Sequence, residues 1–353
     1  MRNASANRLP KPAWYRTAGA DQDVVVSTRC RLARNLEGFP FPWRASSEQL
    51  GEIVIQCARG VAAFEPHAVR IGRPVADSEA LHQLLTARYV SFKWAEMLTP
   101  GSVHVFPDGS GSIMVNEEDH LRIQTLRAGL DVETCLNQAQ RAADALGRQL
   151  AIASSSTHGF LTASLCNTGS GLRLSCLLHL AALAATPAIS EALAAARRMN
   201  CVVRGAFGEG SSGTGSLVQV SNRCTWGVGA AYAVEQAVAA VRYLVVRERE
   251  AREAMMRRPG GKGDLIAAAE GASDLLLHED LSAADIVRSL SVVRLGMAMG
   301  ATSGTLLRTG EWMALAGLLL WSERRQASGV YERVRVQSAV RAGLRACLAE
   351  GSH

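Results

Sequence analysis

The period of apolar and polar positions changes several times along the chain, and each change marks an element. Residues 23–31 alternate as a strand around Val24, Val25 and Val26, and 47–64 and 78–98 carry apolar side chains at helical spacing. Short β-rich runs over 101–106 and 112–116 flank Asp108-Gly109-Ser110-Gly111, a hairpin signal. The Ala-rich stretch 130–146 is amphipathic and 149–153 can return as a strand. Residues 173–199 read as one long helix, followed by the β-branched run Cys201-Val202-Val203. A strand over 217–220 leads to a helix from about 230 to 256. These elements predict a mixed α+β unit with antiparallel hairpins rather than repeated βαβ units.

The pattern breaks at Arg257-Arg258-Pro259-Gly260-Gly261-Lys262-Gly263, where Pro and Gly stop a helix. Beyond it the spacing is helical over 264–272, 282–299, 310–322 and 331–348. The expected organisation is a lead over 1–22, an α+β domain over 23–256, a linker over 257–263 and an all-α domain over 264–353.

Composition narrows the chemistry. With 353 residues, 48% hydrophobic and 20% charged, the chain has the make-up of a soluble globular protein. The formal charge of +6 is spread thinly and no basic run of nucleic-acid type occurs, so a direct nucleic-acid ligand is not expected. Lysine occurs only at Lys11, Lys93 and Lys262, so any phosphate site must be built mainly from guanidinium groups. Gly261-Lys262-Gly263 lacks the Ser or Thr that a P-loop needs. The eight cysteines form no Cys-x-x-Cys pair, and neither they nor the histidines are spaced as zinc ligands. No apolar run is long enough for a signal peptide or a bilayer span, so a cytoplasmic protein with reduced thiols and no membrane partner is expected.

Four clusters carry candidate chemistry. In Ser27-Thr28-Arg29-Cys30-Arg31-Leu32-Ala33-Arg34-Asn35, Arg29 and Arg31 leave the same face of an extended segment and can grip one polyanion; taken alone, solvated surface arginines explain them better. Asn116-Glu117-Glu118-Asp119-His120-Leu121-Arg122 crowds three carboxylates, which either face water or await a cation. The small-residue stretch 162–172 opens the expected helix at Arg173, an arrangement that makes an anion site or an ordinary cap. In the fourth, 204–215, Gly208, Gly210 and Gly213 match G-x-G-x-x-G, but a strand and not a helix follows, so a loop closing over a ligand fits better, with Arg204 and Glu209 at its base.

Together, and in this order, the four clusters resemble the phosphagen (guanidino) kinase family over residues 27 to about 255, and within it the bacterial protein-arginine kinases. The resemblance implies an α+β phosphagen-kinase-like catalytic domain, with an antiparallel sheet flanked by helices, followed by a helical domain for dimerisation and client docking. It implies ATP, with Mg2+ held mainly by nucleotide and water. Arg29, Arg31, Arg122, Arg173 and Arg204 align with the phosphate clamp. The implied nucleotide-contacting segments are Ser27, Thr28, Arg29, Cys30 and Arg31; Arg173, Leu174, Ser175, Cys176 and Leu177; and Arg204, Gly205, Ala206, Phe207 and Gly208. Glu118 aligns with the general base and Glu209 with the second carboxylate that fixes the acceptor guanidinium, a group otherwise protonated and poorly nucleophilic.

Two positions depart from the family. Ser164 stands where it has a reactive cysteine, and Cys166 would lie roughly 6–7 Å further along if that segment were extended. Tyr89 stands at a histidine position used near the nucleotide, where its ring is expected to stack on adenine. In the tail, only Arg341 and Ala342 remain of an R-D-x-x-R-A phosphoarginine pocket. The implied activity is transfer of the γ-phosphoryl group to arginine side chains of proteins, marking them for Clp-type proteolysis. The implied partners are protein substrates with exposed arginine, an activator of the McsA type, a Clp ATPase and a second copy of the chain. A weakly active nucleotide- or phosphoarginine-binding adaptor, and a kinase of a free guanidino metabolite, are the alternatives.

Overall fold

A computed structural model describes residues 9–15, 17–205, 214–302, 306, 312, 314 and 329–350. In chain order the strands are β1 (Val25–Arg34), β2 (Val69–Arg73), β3 (Gly101–Val105), β4 (Gly111–Val115), β5 (Leu121–Ala128), β6 (Ser154–Ser155), β7 (Gly159–Phe160), β8 (Leu172–His179), β9 (Cys201–Gly205) and β10 (Leu217–Asn222). The helices are α1 (Ser47–Phe64), α2 (Ser78–Thr86), α3 (Phe92–Glu96), α4 (Val132–Gly147), α5 (Ala181–Ala184), α6 (Ala188–Arg198), α7 (Ala230–Arg257), α8 (Gly261–His278), α9 (Ala283–Ala298) and α10 (Gly329–Glu350). Eight strands form one sheet in the order β2-β3-β4-β5-β1-β8-β10-β9, antiparallel at every pairing. The α+β architecture expected from the hairpin pattern is therefore present.

One face of the sheet is fully covered. Cys30, Leu32, Ile113, Val115 and Ile123 pack on Leu50, Ile53 and Cys57 of α1 and on Cys135, Ala139 and Leu146 of α4. Leu174, Cys176, Leu178 and Val220 pack on α6 and on Ala237, Val241 and Leu244 of α7. The other face is covered only in part. Leu84, Tyr89 and Trp94 roof Val103, Val105 and Met114, while Trp14 and Tyr15 close the far end against Leu126, Leu177 and Leu217. Between these two covers lies the stretch of sheet that carries the arginines.

The chain departs from its sequence pattern at 173–199. The expected long helix is strand β8, a turn, and the short helices α5 and α6. β8 lies between β1 and β10 and is buried on both faces, so its near-continuous apolar run cannot be told from a buried helix by periodicity. The helix expected over 78–98 is broken between α2 and α3, where Arg88 adopts φ +60°. Residues 149–153 contribute only the isolated bridge between Ile152 and Leu36. The segment expected as a linker over 257–263 is a turn at 258–260, because α8 begins at Gly261 and packs back on α7.

Helices α8, α9 and α10 share a core around Leu276, Ile286, Leu290, Val340 and Leu344. They also join the sheet region: Leu265 and Leu295 meet Ala182, His179 Nε2 and Ser291 Oγ are 2.8 Å apart, and Arg294 donates to the Gln22 carbonyl at 2.6 Å. The helix expected over 310–322 lies almost wholly outside the described residues.

Candidate active site

Strand register decides which side chains can meet. Arg31 pairs with Arg173 across β1 and β8, and Arg29 with Ser175. Ala33, two residues beyond Arg31, pairs with Arg122 of β5. Ser175 pairs with Ser221, and Gln219, two residues from Ser221 on β10, pairs with Arg204 of β9. Because side chains alternate with period two, Arg29, Arg31, Arg122, Arg173 and Arg204 all stand on one face, the half-open one. Five arginines distant in sequence thus share one floor, Arg204 at its exposed edge.

Arg29, Arg31 and Arg173 are partly buried and have no carboxylate at ion-pair distance among the described residues. Arg173 donates to Ser221 Oγ at 3.1 Å and Arg29 makes a long contact of 3.5 Å with Gln219 Oε1. Among the described residues, the buried Nε atoms of Arg31 and Arg173 have no hydrogen-bond partner. Burial and mutual repulsion push Arg29 down to about 9 and hold Arg31 well below the usual guanidinium range. Like charges gathered without counter-charge are unfavourable unless an anion completes them. A triphosphate fits both the charge of this floor and its unsatisfied donors.

The acidic cluster forms one end of this floor. Asn116, at φ +55°, turns the chain from β4 into β5, a conformation Asn tolerates better than most residues. Its amide donates to the carbonyls of Leu50 and Pro100, and Arg73 Nη2 donates to its carbonyl at 3.0 Å. Within the turn the three carboxylates part company. Glu117 is buried, accepts from Ser91 Oγ at 2.8 Å and pairs with Arg122 at 2.8 Å, which together hold its carboxyl below the ordinary range despite the opposing effect of burial. Asp119 is buried too, and its Oδ1 accepts from Asn35 Nδ2 and from the Ala163 backbone, each at 2.7 Å. Glu118 is the exception: its side chain keeps 35% exposure while touching Arg122 at 3.2 Å. The accessible carboxylate of the three is the one the family resemblance singles out.

Asp119 also brings Ser164 to this end of the floor, since Ala163 N–H is fixed to it. Residues 163–168 form a turn, with Asn167 N bonded to Ser164 O at 2.9 Å and Thr168 N to Leu165 O at 3.2 Å. The extended segment on which the Cys166 spacing rested is therefore absent; Cys166 is exposed on the turn. At the start of β8, Gly171 takes φ +69°, and a Cβ there would come within 2.5 Å of the Ala33 carbonyl oxygen. Only glycine lets β8 begin so close to β1.

Several expected contacts are corrected. Tyr89 cannot stack on a base: it is 1% exposed, inside the cluster that roofs the sheet, and its hydroxyl donates to the carbonyls of Pro10 and Gly109. Cys30, Leu174 and Cys176 point into the helix-covered core, because they alternate with the arginines. Thr28 Oγ1 is bonded inward to the Gly129 carbonyl, Ser27 is buried, and Leu177 packs under Trp14 and Tyr15. Of the expected neighbours, Ser175 faces the arginine floor and Gly205 ends β9. Arg341 does not present a free fork: its Nε and Nη2 donate to the carbonyls of Leu276 and Glu279, capping α8. Ala206, Phe207, Gly208 and Glu209 lie outside the described residues.

Sequence reading did not single out Arg88, one residue before Tyr89, whose guanidinium adds to the repulsion that lowers Arg29. No group of three or more His, Cys, Asp or Glu side chains suited to a metal occurs among the described residues, and no helix among them is long and apolar enough to cross a membrane.

The profile of the ATP:guanido phosphotransferase C-terminal catalytic domain matches residues 74–251. A protein of Moorella thermoacetica named protein-arginine kinase is 35% identical over 306 residues, covering 85% of this chain and 87% of its own. Another so named, from Shouchella clausii, is 33% identical over 297 residues, covering 83% and 82%. Among solved structures, lombricine kinase superposes with TM-score 0.59 at 19% identity, over 69% of this chain and 70% of that one. The substrate-free duplicated taurocyamine kinase of Schistosoma mansoni gives 0.59 at 22%, over 80% of this chain but only 42% of the duplicated one.

Proposed function

This chain belongs to the ATP:guanido phosphotransferase family, and we propose that it transfers the γ-phosphoryl group of ATP to the guanidinium of arginine side chains in proteins. The observation that carries this reading is the arginine floor, short of counter-charge, ending at the half-exposed carboxylate of Glu118. The curated relatives named protein-arginine kinase supply the acceptor class.

Phosphoryl transfer asks a protein mainly for positioning and for neutralisation of charge. Arg29, Arg31, Arg122, Arg173 and Arg204 hold the triphosphate. Glu117, buried against Arg122 at 2.8 Å, keeps that guanidinium aimed. Glu118 accepts the acceptor guanidinium in a charge-assisted hydrogen bond and takes its proton as the nitrogen attacks. The N–P bond forms as the bond from the γ-phosphorus to the bridging oxygen breaks, ADP departs with that oxygen, and the proton rests on Glu118. Glu209 is the second carboxylate of this scheme, resting on the motif that carries it. Mg2+, where it accompanies the nucleotide, neutralises phosphate charge; the described residues offer no three-carboxylate cage for it. Ser164, beside the acidic turn, offers a neutral hydroxyl where a thiolate would add a negative charge.

The wider setting we propose follows the family resemblance alone: protein clients directed to a Clp-type protease in the stress response, a cytoplasmic site, an activator of the McsA type, and a homodimer formed through the helical region. The test is to incubate the chain with radiolabelled ATP, magnesium and either unfolded casein or free arginine. Acid-labile label on casein and little on free arginine is expected; label on free arginine alone would move the acceptor to a small guanidino metabolite.

A further inference from the structure

We propose that Arg88 is a sixth guanidinium of the nucleotide clamp, contacting the phosphates remote from the one transferred. The inference rests on the ATP reading above and adds a residue to it. Arg88 occupies the break between α2 and α3 in the left-handed region, at φ +60°. Gln124, which pairs with Arg31 across β1 and β5, donates from one amide nitrogen to the carbonyls of Arg88 at 2.7 Å and Tyr89 at 2.8 Å. Gln124 thereby pins the strained turn directly over the arginine face, and a backbone strained at a pocket is held there by such surrounding contacts. The side chain is partly buried and lies over Trp14, with Cζ 5.9 Å from the ring centroid. No carboxylate pairs with it among the described residues, and the buried Nε1–H of Trp14 also has no acceptor.

Register sets which phosphates it meets. Glu118, which must stand beside the transferred phosphoryl group, contacts Arg122, whose strand partner is Ala33. Arg29 lies four residues back along β1, about 13 Å away at the rise of a strand. Arg88 lies over Trp14, and Trp14 packs in one cluster with Leu126, the strand partner of Arg29, so Arg88 belongs to the α/β end of the triphosphate. A clamp residue there acts on ADP and ATP alike.

The experiment is equilibrium binding of ATP and of ADP to the full-length wild type, Arg88→Met and Arg88→Lys, with KM and kcat for casein phosphorylation alongside. In Arg88→Met, Kd for both nucleotides is expected to rise about tenfold or more, the loss of one charge-assisted hydrogen bond, with KM for ATP rising by more than kcat falls and Arg88→Lys restoring part of the loss. A folded Arg88→Met with wild-type Kd for ADP overturns the inference and leaves the ATP reading standing. A wild type that binds neither nucleotide overturns both. Should Arg88→Met not fold, a crystal structure of the wild type with ADP decides: a guanidinium within hydrogen-bond reach of the α- or β-phosphate supports the assignment, and one turned away overturns it.

Discussion

Guanidinium groups so close together on one sheet face weaken the folded state until an anion arrives. Arg31 shows this most clearly, being depressed by burial first and then by Arg29, Arg122 and Arg173. Replacing it by Met keeps the stem and removes the charge. Arg31→Met should therefore stabilise the nucleotide-free protein by about 1 kcal/mol while weakening ATP binding about tenfold or more, a trade of function for stability. Denaturant midpoints with and without ATP check it; a variant less stable than wild type without nucleotide would contradict the account. At this scale the sequence was informative where spacing alone sets direction. Arg29 and Arg31, two apart on a strand, were readable as sharing a face. Arg88 was not, because its position depends on a left-handed turn and on Gln124 from another strand. Tyr89 was misread because an aromatic side chain gives no sign of which way its burial will turn it.

Among the elements, the acidic turn between β4 and β5 acts as a fastener. Asp119 ties the 161–168 loop and Asn35 to the turn that carries Glu118, and burial raises its own carboxyl above the ordinary range. Asp119→Ala leaves the Ala163 N–H and the Asn35 amide without that acceptor, at a cost of about 1–3 kcal/mol. Because the loosened loop adjoins Glu118 and not the Arg29 end, KM for the protein acceptor should rise more than KM for ATP; steady-state kinetics with each substrate varied would show it, and an equal rise would argue against the fastening role. The hairpins and most helices were legible from periodicity. Strand β8 was not: its apolar run matches a buried helix, and only its pairing with β1 and β10 makes it a strand. That miss also misplaced Arg173, which takes its position from cross-strand register and not from a helix N-terminus.

For the molecule as a whole, the helical region and the sheet share contacts close to Gly215. Gly215, just after the 206–213 stretch, takes φ +67°, and a Cβ there would come within 2.4 Å of Val287 Cγ1 on α9. The His179 and Ser291 pair and the Leu265, Leu295 and Ala182 contact lie nearby in the fold. The turn at 258–260 joins α7 directly to α8, which packs back on α7, a contact that Pro and Gly composition alone could not reveal. Gly215→Ala should cost about 1–3 kcal/mol, from strained backbone and overpacking together. The loss should appear in one cooperative transition followed both at Trp residues of the sheet region and by far-ultraviolet dichroism; separate transitions would mean that the helices fold as an independent unit.

The most direct test joins the arginine floor to Glu118. Wild type and Glu118→Gln are incubated with ATP, magnesium and an unfolded protein, and phosphoarginine is counted by mass spectrometry under non-acidic conditions. The account predicts abundant phosphoarginine from wild type and a fall of about 10²–10⁴-fold in the variant, with ATP affinity retained. Equal phosphoarginine from both proteins would contradict it.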